Sequence, residues 1–152
     1  MIPAGRVLGV DLGSRRIGVA VTDGDQRLAT GLTVLTRGRD HAADHQALAA
    51  LAADCQAVGI VVGLPLSLSG QLGPAARSVM EEVAELRQRV PVEVETVDER
   101  LTTRAAASGL RASGRRHREQ RGVIDQSAAT LLLQTWVERR LSAEGTRAFS
   151  SE

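Results

Sequence analysis

Cysteine, tyrosine, lysine and long apolar runs are what this chain of 152 residues conspicuously lacks. Cys55 stands alone, so no internal disulfide can form, as suits a reducing compartment, and its apolar neighbours make it a buried structural thiol rather than a nucleophile. Trp136 and Phe149 are the only aromatic residues, which leaves little to anchor a tight protein interface and points to a monomer or weak homodimer. No run approaches the roughly 20 apolar residues that span a bilayer, and the opening MIPAGRVLGVDLG lacks the pattern of a secretory signal. The expectation is a cytoplasmic protein with no membrane partner.

What is present fits one ordinary globular domain: 43% hydrophobic and 24% charged residues, in a length that buries one core. The net charge of +1 hides an uneven distribution. Seven arginines and His117 lie between Arg100 and Arg121 against the single acid Glu119, whereas Glu81 to Glu99 is rich in acids. Every basic side chain is arginine, which codon bias explains as readily as phosphate binding.

Three β-branched runs between Arg6 and Thr36, separated by the short turns GSRR and GDQR, read as antiparallel strands. Asp40 opens a helix marked by Leu48, Leu51, Ala52 and Cys55. AVGIVVGLP has no alternation, as expected of a strand covered on both faces, and ends at Gly63 and Pro65. A second helix follows Pro74, with Ala76, Val79, Val83 and Leu86 on one face, and VPVEVETVDE is the next strand. A short helix near Thr102 to Leu110, a mobile loop over RASGRRHREQRG, a last helix from about Ile124 to Leu141 and a frayed tail after Ala143 complete the reading. The fold class is α/β, with a mixed sheet of three antiparallel strands and then two parallel ones flanked by helices.

Three acids stand out. Asp11 interrupts an apolar strand, where an unpaired carboxylate is costly; Arg15 or Arg16 could satisfy it, or a bound cation could. Gly13, two positions on, would let a ligand approach the backbone. Asp98 and Glu99 end the fifth strand and point to opposite faces, so only one can join Asp11; a solvated strand end is the alternative. Asp125 shares a helical face with Ala128, Ala129, Leu132 and Trp136, and it could equally be an N-cap. Acids from the first strand, the fifth strand and the last helix could form the oxygen-rich cluster that suits magnesium or manganese. Two such ions about 4 Å apart can activate water and stabilise a leaving oxygen in phosphodiester hydrolysis.

Other residues carry less. His41 and His45 have metal-compatible spacing but no third ligand and read as ordinary surface residues. Ser67, Ser69, Thr102 and Thr103 read as loop and cap hydroxyls. The arginine-rich loop before Asp125 is either a solvated charge run or a phosphate-positioning element.

The stretch GVDLGSRRIGVAVTD from Gly9 to Asp23 resembles the opening motif of the YqgF family, also called RuvX, of pre-16S rRNA nucleases and Holliday-junction resolvases. VVGLPLSLSG, VDERLTT and IDQSAATLLLQ resemble its later motifs, in order and in spacing, so the resemblance covers almost the whole chain. It implies a single ribonuclease-H-like nuclease domain, here over residues 1–143; residues 144–152 are expected from the chain end itself to be a disordered tail. It further implies Asp11, Glu99 and Asp125 as catalytic metal ligands for Mg2+ or Mn2+. Arg15, Arg16, Arg100, Arg115, Arg116 and Arg118 are the residues expected to hold nucleic acid. The resemblance leaves structured RNA and branched DNA both open; RNA is favoured because the apolar stripes are all needed to cover the sheet and leave none for the tight dimer that junction cutting needs. Ser67 and Ser69 stand where the family usually has Asn and Asp, a departure in the loop rather than in the acids. An actin-like ATPase module also begins with a strand, Asp, Gly and a turn, but needs two such domains to enclose ATP. A nucleic-acid-binding protein without catalysis would have had no need to keep all three acids.

Overall fold

The computed structural model describes residues 1–67, 69–100 and 117–150, with side chains of the last helix described from 128 to 144. β1 (Val7–Leu12), β2 (Arg16–Thr22) and β3 (Ala29–Thr36) form an antiparallel meander, and α1 (His41–Asp54) leads to β4 (Gly59–Leu64). α2 (Pro74–Arg89) leads to β5 (Glu93–Asp98), and α3 (His117–Ser150) closes the described chain. The sheet order is β3-β2-β1-β4-β5. β1 pairs antiparallel with β2 and parallel with β4, which pairs parallel with β5. The expected mixed sheet is therefore the observed one.

Alternation along the strands sorts side chains between two cores. Leu8, Val10, Ile60, Val62 and Val94 face Leu48 of α1 and Val79, Val83 and Leu86 of α2. Val7, Val61 and Val97 face Ala129, Leu132, Leu133, Trp136 and Val137 of α3. β4, an inner strand between β1 and β5, is thus buried on both faces, the reason it reads as an unbroken apolar run. Asp40 caps α1 by accepting a 2.9 Å bond from the Ala43 amide, and Pro74 sits in the first turn of α2. Cys55 is half-buried against the first core.

Glycine lets α3 lie against the middle of the sheet. A Cβ on Gly9 would stand 2.6 Å from Leu133 Cβ and 3.0 Å from the Ala129 carbonyl oxygen, so the Leu133 side chain and the helix backbone occupy the space a side chain on the strand would take. From that contact α3 runs toward the start of β1, where Val137 lies near Ala4. Its preceding turns, which include Asp125, therefore head toward the C-terminal end of β1.

Two expectations need correction here. The last helix begins at His117, not near Ile124, and its backbone stays helical to Ser150, past the expected ends at Leu141 and Ala143. The apolar stripe that marks a helix in a sequence is missing from HREQRG, so periodicity detects only the part that packs on the sheet. The short helix expected at Thr102 to Leu110, and the loop as far as Arg116, lie outside the described residues.

Candidate active site

The parallel strands β1, β4 and β5 end side by side, and each contributes to one spot on the α3 face. Asp11 follows Val7 and Gly9 in the alternation of β1, Gly63 follows Val61 on β4, and Glu99 follows Val97 at the end of β5. Asp11 and Glu99 are hydrogen-bonded to each other, and both are half-buried. The Glu99 amide donates to the Leu64 carbonyl at 3.1 Å, which turns the chain over the end of β4.

Gly63 makes that meeting possible. A Cβ there would lie 2.6 Å from Glu99 Oε1, 2.9 Å from Glu99 Cγ and 2.9 Å from Leu132 Cδ2. Only a residue without a side chain lets Glu99 lean across β4 toward Asp11. The sequence shows Gly63 as the end of a strand; its second role had a signal, a glycine inside an apolar run, that marks close approach of another group.

Burial, then the neighbouring Asp11 charge and its hydrogen bond, then Asp98, push the Glu99 carboxyl up from 4.5 to about 7. Two carboxyls that share a proton at neutral pH are a donor set that a hard divalent cation fits, since the cation replaces the proton and removes the repulsion. Among the described residues no three potential ligands of this kind converge. Asp125 lies on helical backbone four residues before Ala129, and its side chain is outside the described set.

Asp98 behaves as the alternation requires. It turns away from Asp11 and accepts from the Arg100 amide at 2.9 Å and from Arg100 Nε at 2.9 Å. Hydrogen bonding to Arg100 holds its carboxyl below the ordinary range despite some desolvation, with the charges of Arg100 and Arg139 adding to the effect. Arg100, expected among the nucleic-acid contacts, is thus engaged with Asp98, and its guanidinium lies against the Gly70 turn of the loop after β4. In that loop the hydroxyls of Ser67 and Ser69 bond each other at 3.0 Å, and Ser67 Oγ accepts from the Gln71 amide at 3.1 Å, so they close a turn. Arg15 and Arg16 are exposed at the β1–β2 turn, and Arg118 lies on the first turn of α3. Arg115 and Arg116 lie outside the described residues.

Gly13 has a role in its own turn, where a Cβ would stand 2.5 Å from the Arg16 carbonyl oxygen, and the structure revises the reading of one histidine. His45 is no surface residue; it is fully buried and bonded to Glu82 at 2.8 Å, while His41 is partly exposed and bonded to Glu85 at 2.7 Å. Helical spacing placed both histidines on one face but could not show that α2 covers the second.

A mixed five-stranded sheet in this order, with paired carboxyls at the ends of its first and last parallel strands, defines a ribonuclease-H-like domain. The chain belongs to the RuvX family, whose profile, described as Holliday junction resolvase, matches residues 5–139. A protein of Mycobacterium tuberculosis named "Putative pre-16S rRNA nuclease" is 48% identical over 141 residues, covering 91% of this chain and 82% of that protein. A protein of the same name from Mycobacterium leprae is 46% identical over 146 residues, covering 95% of this chain and 78% of that one. Among solved structures, Thermus thermophilus RuvC in complex with a Holliday junction substrate superposes with a TM-score of 0.58 at 14% identity. That match covers 91% of this chain and 96% of the other, and it supports the fold.

Proposed function

We propose that this protein is a divalent-metal-dependent nuclease that hydrolyses nucleic-acid phosphodiesters, acting in the cytoplasm in 5′-end processing of pre-16S rRNA. The observation that carries the reading is the Asp11–Glu99 pair, two carboxyls held together at the strand ends with a proton retained to about 7. Asp11, Glu99 and Asp125 would hold Mg2+ or Mn2+. The metal, when bound, supplies an activated water and charge for the leaving oxygen. The protein's part is to keep Asp11 and Glu99 within reach of each other, which Gly63 permits, and to bring the Asp125 turn toward them along Gly9. Arg15 and Arg16, exposed beside the site, and the arginines ahead of α3 suit phosphate contacts.

Two observations favour RNA over a junction. The relatives at 46–48% identity carry an rRNA-nuclease name. Paired cuts in a junction need a stable two-fold dimer. The exposed large apolar side chains among the described residues are Met1 at the N-terminus, Leu28 just before β3, Leu32 on β3, Leu72 in a loop, Met80 on α2 and Leu141 on α3, and they belong to several different elements. The family description and the RuvC fold keep junction resolution as the second reading. The deciding experiment offers a pre-16S rRNA 5′ segment and a four-way DNA junction side by side, in Mg2+ and in Mn2+, to the wild type and Asp11→Asn. Metal-dependent RNA cleavage lost in the variant is expected. Symmetric nicking of the junction with the RNA left intact would overturn the substrate assignment, and undiminished activity of the variant would overturn the site.

A further inference from the structure

Opposite the carboxyl pair, on the α1/α2 side of the sheet, lies a buried ionic cluster that the proposed reaction does not use. Arg37, just after β3, makes a two-pronged bond to Glu82 of α2, Nη1 to Oε2 at 2.7 Å and Nη2 to Oε1 at 2.8 Å. Nη1 also reaches Asp44 Oδ2 of α1 at 3.1 Å. Asp44 and Glu82 are 6% and 4% exposed, so these charges have largely left water. Glu82 takes a further bond from His45, whose other nitrogen meets Arg89 Nη1 at 3.0 Å. Burial alone would raise the Glu82 carboxyl, yet the bonds from Arg37 and His45 outweigh it and hold the group below its ordinary range. Hydrogen bonding to Glu82 likewise raises the Arg37 guanidinium against the effect of burial.

A buried ion pair is a poor source of net stability, because desolvation offsets most of the attraction; what it offers is a fixed geometry. Here the geometry is directed at one place. Of the donors not taken by Glu82 and Asp44, Arg37 Nε goes to the Gly13 carbonyl at 2.9 Å. The Arg37 amide goes to the Arg15 carbonyl, also at 2.9 Å. Both acceptors belong to the turn between β1 and β2, and the Gly13 amide returns to the Asp11 carbonyl at 3.1 Å. Asp11 thus lies within the β1–β2 ladder, which runs on to the Leu12–Ile17 pair, and the turn just beyond that pair is gripped from across the sheet.

We propose that Arg37 is a positioning residue for the Asp11 carboxylate: braced by Glu82 and Asp44, it fixes the Gly13–Arg15 turn and thereby where the strand-end carboxylate sits. The proposal rests on the reading of Asp11 as a metal ligand. Misplacement of such a group by about 1 Å is enough to reduce catalysis severely, so a rigid support behind the turn has a function that bulk stability does not require.

The test compares Arg37→Lys with wild type and Asp11→Asn. Lysine keeps the charge but cannot serve both oxygens of Glu82 and the Gly13 carbonyl together. A second variant, Arg37→Met with Glu82→Gln, removes both charges in case the first fails to fold. Two readouts are taken below the melting temperature: amide hydrogen exchange of Gly13 to Arg16, which needs no metal, and Mn2+ affinity by calorimetry. Arg37→Lys is expected to speed exchange in the turn while β4 stays protected, and to weaken Mn2+ binding by about tenfold, as removing a ligand's support typically does. Asp11→Asn is expected to lose Mn2+ binding with the turn's exchange unchanged. Unaltered exchange in both Arg37 variants, or faster exchange with undiminished Mn2+ affinity, would overturn the positioning role alone. Equal Mn2+ binding by wild type and Asp11→Asn would remove the metal reading, and the positioning role with it.

Discussion

Glu99 shows at the scale of one residue how a site trades against the fold that carries it. Unfolded, its carboxyl loses the proton near 4.5; folded, burial and Asp11 hold the proton to about 7. Between those values the native state binds the extra proton, so the stability of the metal-free protein falls as pH rises through that window. Glu99→Gln removes the charge and with it this destabilisation. Thermal unfolding in EDTA is expected to show the variant more stable than wild type at about pH 8, with the difference vanishing toward about pH 4, below both values. Cleavage by the wild type should rise with pH through about 7, because a cation takes the place of that proton. In the same assay Glu99→Gln should lose far more activity than Asp98→Asn, whose carboxylate is directed to Arg100. The opposite ranking would mean that the carboxylate facing Asp11 is not the one that matters.

At the scale of elements, α3 and β1 meet at Gly9 with no room for a further methyl group. Gly9→Ala forces a methyl against Leu133 Cβ and against the backbone oxygen of Ala129, neither of which can rotate away. Overpacking of this kind costs about 1–3 kcal/mol, to be read by urea denaturation. Cleavage should fall as well, since the helix that shifts also carries Asp125. Gly63→Ala differs: its methyl meets the flexible ends of Glu99 and Leu132, so a smaller loss of stability and a large loss of activity are expected. If activity and stability changed in the same proportion in both variants, Gly63 would be a packing glycine only.

Much of this was legible in the sequence, and for identifiable reasons. The meander, the buried β4 and both flanking helices announce themselves through local patterns that the structure repeats residue for residue, as at Asp40 and Pro74. The choice of Glu99 over Asp98 followed from alternation, a property of the strand itself, together with the family resemblance. Arg37 and His45 were not legible. Their partner Glu82 is 45 and 37 residues away, and nothing in a run of helix-forming residues tells which glutamate will be buried. The start of α3 was missed for a related reason, since turns that do not rest on the sheet carry no apolar stripe.

At the scale of the whole molecule, the proposed function assigns exposed charge the first encounter with a nucleic-acid substrate. Arg15 and Arg16 sit exposed at the turn beside Asp11. Replacing both with alanine should weaken RNA binding with little regard to sequence and flatten its salt dependence by roughly 0.7 to 0.9 in log–log slope for each phosphate no longer neutralised. A fluorescence-anisotropy series across salt concentrations checks this, with Asp11→Asn as background so that no cleavage intervenes. An unchanged slope would mean that these arginines do not meet the phosphates.

The parallel joints have a consequence in time. β1 pairs with β2 across a turn of a few residues, but Val10 pairs with Val62, and Glu99 reaches Asp11 only after β4 and β5 have both docked. The turn of α3 that bears Asp125 comes later still in the chain. Pairings so far apart in sequence form slowly, and during synthesis the N-terminal segments fold first. A nascent chain can complete its meander, Asp11 included, while Glu99 and Asp125, the other two acids proposed for the site, are still being made. On the proposed reading, in which Asp125 completes the site, such a chain would be unable to cut ribosomal RNA until its own last helix has left the tunnel.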